Sequence, residues 1–301
     1  MRVWWNHYAG EDRLHLLSAW GEGGRLVGLA PLCRRVSPAG PLQWIGDGEL
    51  ADALDFIIWR GMEGPVFTAM DQALRRSAVS FPGLVLHFIP EDSPTLEEAN
   101  GLLQGGWDAE MTLEESSPRV RLPGSWEAFL HALSGRHRHE IRRKLGRIQR
   151  ELQPRFRVVE DEAHWEEAIQ AFFRLHRLSQ VQKARFMTPE REGFFREMGR
   201  AFLEDGSLRL VWVEAGGRPI ASSLSFVYGR TWGLYNSGYD PAYRAVSPGF
   251  VLVAHTIQMA IQEGLEFYDF LKGREGYKYD FGAQDRDLYC LRLSPPGGGE
   301  A

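Results

Sequence analysis

The chain has only two cysteines in 301 residues, Cys33 and Cys290. That is too few for a disulfide framework or a cysteine-rich zinc site. No apolar run approaches the ~18 residues of a membrane-spanning helix. The start, "MRVWWNHYAGEDRLHLL", has no apolar run of signal-peptide length behind a basic start. Positive charge is not in excess either: 35 Lys and Arg stand against 40 Asp and Glu, a net charge of −5. This argues against a surface dedicated to DNA, while leaving room for a local basic patch. There is no H-E-x-x-H, Walker loop or G-x-S-x-G, and His137, His139 and His164 lack metal-ligand spacing, so no metal is expected. These absences point to a cytoplasmic protein in a reducing compartment, with no membrane span.

What is present is ordinary globular material: 44% hydrophobic and 25% charged residues. Such a length suits two domains of about 100–150 residues. In the first part, "LHLLSAW" and "RLVGLAPLC" flank a "GEGG" turn as a hairpin. "PLQWIGDGELAD" and "DFIIW" read as strand and loop, "VFTAMDQALRRSAVSF" as an amphipathic helix and "GLVLHFIP" as a further strand. From Pro90 to Pro123 the text turns loop-rich, before "SWEAFLHAL" opens a helix with Ser125 as N-cap.

The segment "SGRHRHEIRRKLGRIQREL" is the most biased. Between Arg136 and Arg150 seven basic residues, Arg138 and Arg142 among them, accompany one acid, Glu140. Ile141, Leu145, Ile148 and Leu152 recur at helical spacing. The pattern predicts a helix over 136–152 with one apolar stripe and one basic face, either simply solvated or a platform for an anionic acceptor.

Beyond it, "HWEEAIQAFFRLHRLSQ" and "TPEREGFFREMGRAFLEDG" read as helices, the second with Thr188 as N-cap and Pro189 at the first helical position. His176 follows Phe172 and Phe173 at helical spacing, which suits a packed histidine. Three strands follow, "SLRLVWVEA", "PIASSLSFVYG" and "TWGLYNSGYD", the last carrying Tyr239. Then Ser247-Pro248-Gly249-Phe250 starts a long helix. A helix start leaves N–H groups without internal partners at its positive dipole end, and so favours anions. Gly249 allows close approach to the backbone and Arg244 adds charge; a plain helix cap is the alternative. Finally "YDFLKGREGYKYDFG" begins as a core strand yet carries Asp269 and Lys278 beside Tyr277. Each has a structural alternative, Asp269 as a paired acid and Tyr277 as a core tyrosine. "DLYCLRLS" reads as a last strand, and "PPGGGEA" as a disordered tail.

The spacing Arg244-x-x-Ser247-x-Gly249 resembles the loop with which GNAT acyltransferases hold the pyrophosphate of coenzyme A, with Ser247 in place of the first glycine. The order of elements is also that of a GNAT domain. The runs "SGYDPAYRAVSPGFVL" and "EFYDFLKGREGYKYDFGA" resemble the CelD-like, FemAB-related branch, acetyltransferase family 6. The likeness covers Ser125 to Leu293 well and the amino-terminal half more loosely. It implies an α/β (α+β) protein of tandem GNAT-like domains in a FemAB-like arrangement. The amino-terminal domain would span 1–122, with the helix ahead of its first strand absent or very short. The catalytic domain would span 123–294, followed by the tail 295–301.

The resemblance further implies transfer of an acyl group from acetyl-CoA or another acyl-CoA to an amine of a small-molecule, nucleotide-sugar or polysaccharide-related acceptor. Arg244, Ser247, Pro248, Gly249 and Phe250 would hold the donor. Asp269 would bind or deprotonate the amine, Tyr277 would protonate the thiolate and Lys278 would hold an anion. Arg138, Arg142, His176 and Tyr239 would face the acceptor. A Fem-type transferase using aminoacyl-tRNA ranks second, and a non-catalytic GNAT-fold binding module third.

Overall fold

The computed structural model describes residues 1–35, 40–46, 48–77, 82–98, 106–159 and 161–295. The expected disordered tail lies, apart from Pro295, outside the described residues. The chain forms two compact units, one of Met1–Ser117 with Arg286–Ala301, the other Pro118–Asp285.

The first unit opens with a seven-residue helix α1 (Arg2–Tyr8), as short as expected. Its seven-stranded sheet contains β1 (Arg13–Trp20), β2 (Leu26–Arg34), β3 (Leu42–Trp44), β4 (Ile57–Ile58), β5 (Leu84–Pro90), β6 (Asp108–Ser116) and β13 (Asp287–Ser294). The order is β1-β2-β3-β5-β13-β6, with β4 beside β2. Helix α2 (Glu63–Ser77) places Val66, Met70 and Leu74 on one face, and these bury against Leu32, Leu42, Leu84 and Leu86.

Two sequence expectations are corrected. The loop-rich reading of Pro90 to Pro123 gives way to β6 and to β7 (Arg119–Arg121). Strand β6 is an edge strand rich in Asp and Glu and mostly exposed, so the apolar alternation that marks a strand is missing. The last strand, assigned to the second unit, instead lies in the first sheet between β5 and β6, where Leu288, Cys290, Leu291 and Leu293 are buried. Alternation identifies a strand and says nothing about its partners.

The second unit carries a six-stranded sheet, order β7-β12-β11-β10-β9-β8. Its strands are β7, β8 (Arg155–Val158), β9 (Leu208–Ala215), β10 (Arg218–Tyr228), β11 (Thr231–Tyr239) and β12 (Phe267–Asp269). The helices are α3 (Trp126–Ala132), α4 (Gly135–Leu152), α5 (Trp165–Ser179), α6 (Val181–Phe186), α7 (Pro189–Glu204), α8 (Pro248–Gln262) and α9 (Gly276–Asp280). Ser125 and Thr188 cap α3 and α7 through their side chains. Helix α8 is apolar nearly all round and buries Val251, Leu252, Val253, Ala254 and Ile257 in the core, joined by Ile141 and Ile148 of α4. Among the described residues no helix is long and apolar enough to cross a membrane.

Candidate active site

Strands β11 and β12 are parallel, but only Thr231–Gly233 pair with Phe267–Asp269. Strand β11 runs on to Tyr239 after β12 has stopped, so the two part. A bulge decides what β11 shows there. Leu224 pairs with Asn236 and Ser225 with Leu234, leaving Tyr235 extra. Tyr235 packs on Phe195 of α7, and the next residue, Asn236, bonds to His176 of α5. Two successive side chains therefore share one face, and Ser237 and Tyr239 are turned to the other. Gly238 makes the fit possible, because a Cβ there would lie 2.4 Å from His176 Cα and N.

A cleft of about 490 Å³ opens on that side. It is lined by Ser237 and Tyr239 of β11, Arg244, Ser247 to Phe250 and Val253 at the start of α8, Glu275 and Tyr277 around α9, Ser179, Gln180 and Lys183 about α6, and Lys144 of α4. Helix α8 begins with Pro248, which has no N–H, and Val251 N–H donates back to Ser247 O at 3.1 Å. The N–H groups of Gly249 and Phe250 fall between them, in the first turn, and Ser247 makes no side-chain cap. The positive end of a 15-residue helix therefore faces the cleft, an arrangement that favours negative charge. Lys144 Nζ lies 3.7 Å over the Phe250 ring, adding charge beside it. Ser247 itself sits in left-handed backbone, φ 51° and ψ 52°. That conformation is where glycine costs least, so a glycine at this position would carry less strain.

The cleft thus brings together Arg244, Ser247, Pro248, Gly249, Phe250, Tyr239 and Tyr277. It does not include Asp269, Lys278, His176, Arg138 or Arg142. Asp269 is buried and its Oδ1 accepts from Leu271 N–H at 2.7 Å. Lys278, also buried, donates from Nζ to the carbonyls of Leu271, Lys272 and Gly273 at 3.0, 3.0 and 2.8 Å and pairs with Glu275 at 2.9 Å. Leu271 has φ 56°. The charges behind the core strand therefore wrap a strained turn, Asp269 from one side and Lys278 from the other. Tyr277 packs edge-on against Phe270, and burial, with Glu275 nearby, pushes its hydroxyl well above the usual tyrosine range.

The basic face of α4 is partly compensated: Arg142 pairs with Glu127, Arg143 and Lys144 with Glu140, and Arg147 with Glu151. Sequence reasoning missed Lys183, since the short helix α6 in "SQVQKARF" has no periodic pattern long enough to read. One group of metal-type side chains occurs among the described residues, His87, Glu114 and Cys290 in the first unit, with ligand atoms within 4.8 Å of one another. Glu114 uses both oxygens within the protein, on His87 Nδ1 at 2.7 Å and Phe88 N–H at 3.1 Å. Glu114 thus holds the backbone N–H of Phe88, whose φ is 58°.

His176 is buried, with Nε2 on Asn236 Oδ1 at 2.8 Å and no hydrogen bond to Nδ1 among the described residues. Burial first, then the charge of Lys183, lowers its pKa to about 4. The folded protein therefore holds it neutral while the unfolded chain takes up a proton near pH 6.5. Its depressed pKa contributes nothing against stability above about 6.5 and a growing loss as pH falls toward 4, on the order of 3 kcal/mol in all. Thermal melts across that window should fall steeply in the parent and less steeply in His176→Gln. Equal slopes would show that other groups govern acid unfolding.

A search of curated proteins finds no match to the chain. Residues 135–279 match the family described as acetyltransferase (GNAT) domain. Among solved structures the chain is similar to FemX, with TM-score 0.69, 12% identity and coverage of 96% of this chain and 90% of that one. It is also similar to L-PGS from Bacillus licheniformis, with TM-score 0.59, 12% identity and coverage of 96% and 85%. A conserved protein from Bacteroides thetaiotaomicron gives TM-score 0.61 at 9% identity, covering 97% and 88%. With two mixed sheets, a GNAT domain matched over residues 135–279 and a fold shared with FemX along nearly its whole length, the chain has a tandem GNAT-like fold and is similar to the FemAB-related, CelD-like branch of that superfamily.

Proposed function

We propose that the second unit transfers an acyl group, acetyl by default, from acyl-CoA to a primary amine by direct attack on the thioester. The observation that carries this reading is the cleft itself. It joins a helix start, with the Gly249 and Phe250 N–H groups in its first turn, to the stretch of β11 beyond the end of β12. Gly249 and Phe250 N–H, with Arg244 and Lys144, suit a diphosphate, while the parted strands leave room for the pantetheine arm and thioester. The cations of α4, half-buried Arg138 and exposed Arg142 among them, supply a positive surface for an anionic acceptor such as a nucleotide-sugar or an acidic polysaccharide. Neither cysteine lines the cleft, which fits direct attack without a thiol nucleophile. A non-catalytic binding module would be favoured by a cleft filled by side chains, and this one is open.

The Fem-type reading differs in the donor, so ligand-induced stabilisation separates the two. Coenzyme A or acetyl-CoA at about 100 times its dissociation constant should add about 2.7 kcal/mol of stability, and tRNA should add none. Stabilisation by aminoacyl-tRNA with no response to coenzyme A would overturn the proposal in favour of the Fem-type donor.

A further inference from the structure

Amide formation from a thioester needs a proton moved: the attacking nitrogen must shed one and the departing sulfur must gain one. Tyr277, the side chain in the cleft best placed by sequence to give that proton, is a poor donor, because burial and Glu275 disfavour its ionised form. Asp269 and Lys278 lie outside the lining, bound into the turn after β12. Lys183 does line the cleft. Its Nζ donates to Ser237 O at 2.5 Å, on the segment of β11 that runs past β12. The charged and titratable groups around it come from every neighbouring element. They are His176 of α5, Tyr239 of β11, Glu275, Tyr277 and Lys278 around α9, Lys144 of α4, and Arg244 ahead of α8. Among the residues that line the cleft, Lys144, Lys183 and Arg244 outnumber the one carboxylate, Glu275, and the Lys183 amine is largely withdrawn from water.

We propose that Lys183 is the proton carrier of this site, a role that rests on the acyl-CoA reading above. As a neutral amine it takes the proton released when the acceptor nitrogen bonds to the thioester carbon. As an ammonium it returns that proton to sulfur when the C–S bond breaks, so the products are amide and free thiol and Lys183 ends neutral. The electrostatic setting agrees: burial first, with Lys278 adding to it against the opposing pull of Glu275, lowers the Lys183 pKa to about 8. A lysine near 8 is matched to both halves of the transfer, whereas an ordinary lysine at about 10.4 would stay protonated at neutral pH. Lys183 acting only as a tether for Ser237 O, or as an anchor for an acceptor anion, would need no such match.

The test uses the full chain, acetyl-CoA as donor and ethanolamine as a small primary amine, with thiol release as readout and acetyl-CoA hydrolysis followed in parallel. The parent rate should rise with pH through an ionisation near 8. In Lys183→Met that limb should be lost and turnover should fall about 10²–10⁴-fold, the range typical of acid–base groups, with acetyl-CoA affinity changed less than about threefold. Lys183→Arg should be nearly as defective, since it keeps charge and hydrogen bond but cannot give up its proton. A melting temperature of Lys183→Met equal to or above the parent's excludes unfolding as the cause. Full activity in Lys183→Arg, or a loss confined to KM in Lys183→Met, overturns the proposal and leaves the acyl-CoA reading intact. Failure of the parent to bind acetyl-CoA overturns both.

Discussion

Gly249→Glu is expected to abolish binding of coenzyme A and acetyl-CoA, lowering affinity by at least about 100-fold. The new carboxylate would stand where the N–H groups of Gly249 and Phe250 present positive potential, removing two charge-assisted hydrogen bonds of about 1.5–3 kcal/mol each and adding repulsion. Since about 1.4 kcal/mol is tenfold in affinity, losing even the weaker pair reaches 100-fold. Gly249→Ala is the control. An added Cβ would meet Tyr239 Cδ1 at 3.4 Å, an ordinary contact, so the alanine variant should bind within a few fold of the parent. Calorimetry that finds the glutamate variant binding like the parent would place the donor phosphates elsewhere.

Lys278→Met is expected to strike stability and spare the chemistry. The methionine keeps the stem but strips the carbonyls of Leu271, Lys272 and Gly273 of their shared donor, beside a leucine already at φ 56°. Leaving such partners unsatisfied costs about 1–3 kcal/mol for a buried group, and with three carbonyls at stake the upper part of that range applies. Asp269→Asn should cost less, because the amide oxygen still accepts from Leu271 N–H. The decisive comparison is turnover per folded molecule against melting temperature. A variant that melts like the parent yet loses turnover 10²-fold or more would return Lys278 to the reacting centre.

Much of this arrangement was readable from residues alone, for identifiable reasons. Capped, periodic helices announced themselves at Ser125 and Thr188, and the helix start at Ser247-Pro248-Gly249 was visible because it is local: a proline, a glycine and an apolar run. What escaped was non-local. The charge crowd after Phe267 could be read as catalyst or scaffold, and only the three carbonyls on Lys278 show what it holds. The bulge at Tyr235, which turns Ser237 and Tyr239 toward the cleft, depends on register with β10 and leaves no composition signal. Lys183 is one cation among 35 basic residues until its amine is seen on Ser237 O. The acid-rich edge strand β6 and the homecoming of β13 were missed because partner choice is not written in alternation.

That return of β13 bears on how the protein is made. The strand completes the first sheet from within, between β5 and β6, yet it is translated after all of Pro118–Asp285. A domain that normally folds as it leaves the ribosome must here wait with a slot open in its middle until the second unit has been synthesised. During that interval β5 and β6 expose unpaired backbone edges, which are templates for pairing with another chain. Nascent chains stalled anywhere before Asp287 should therefore depend on chaperones far more than the finished protein does.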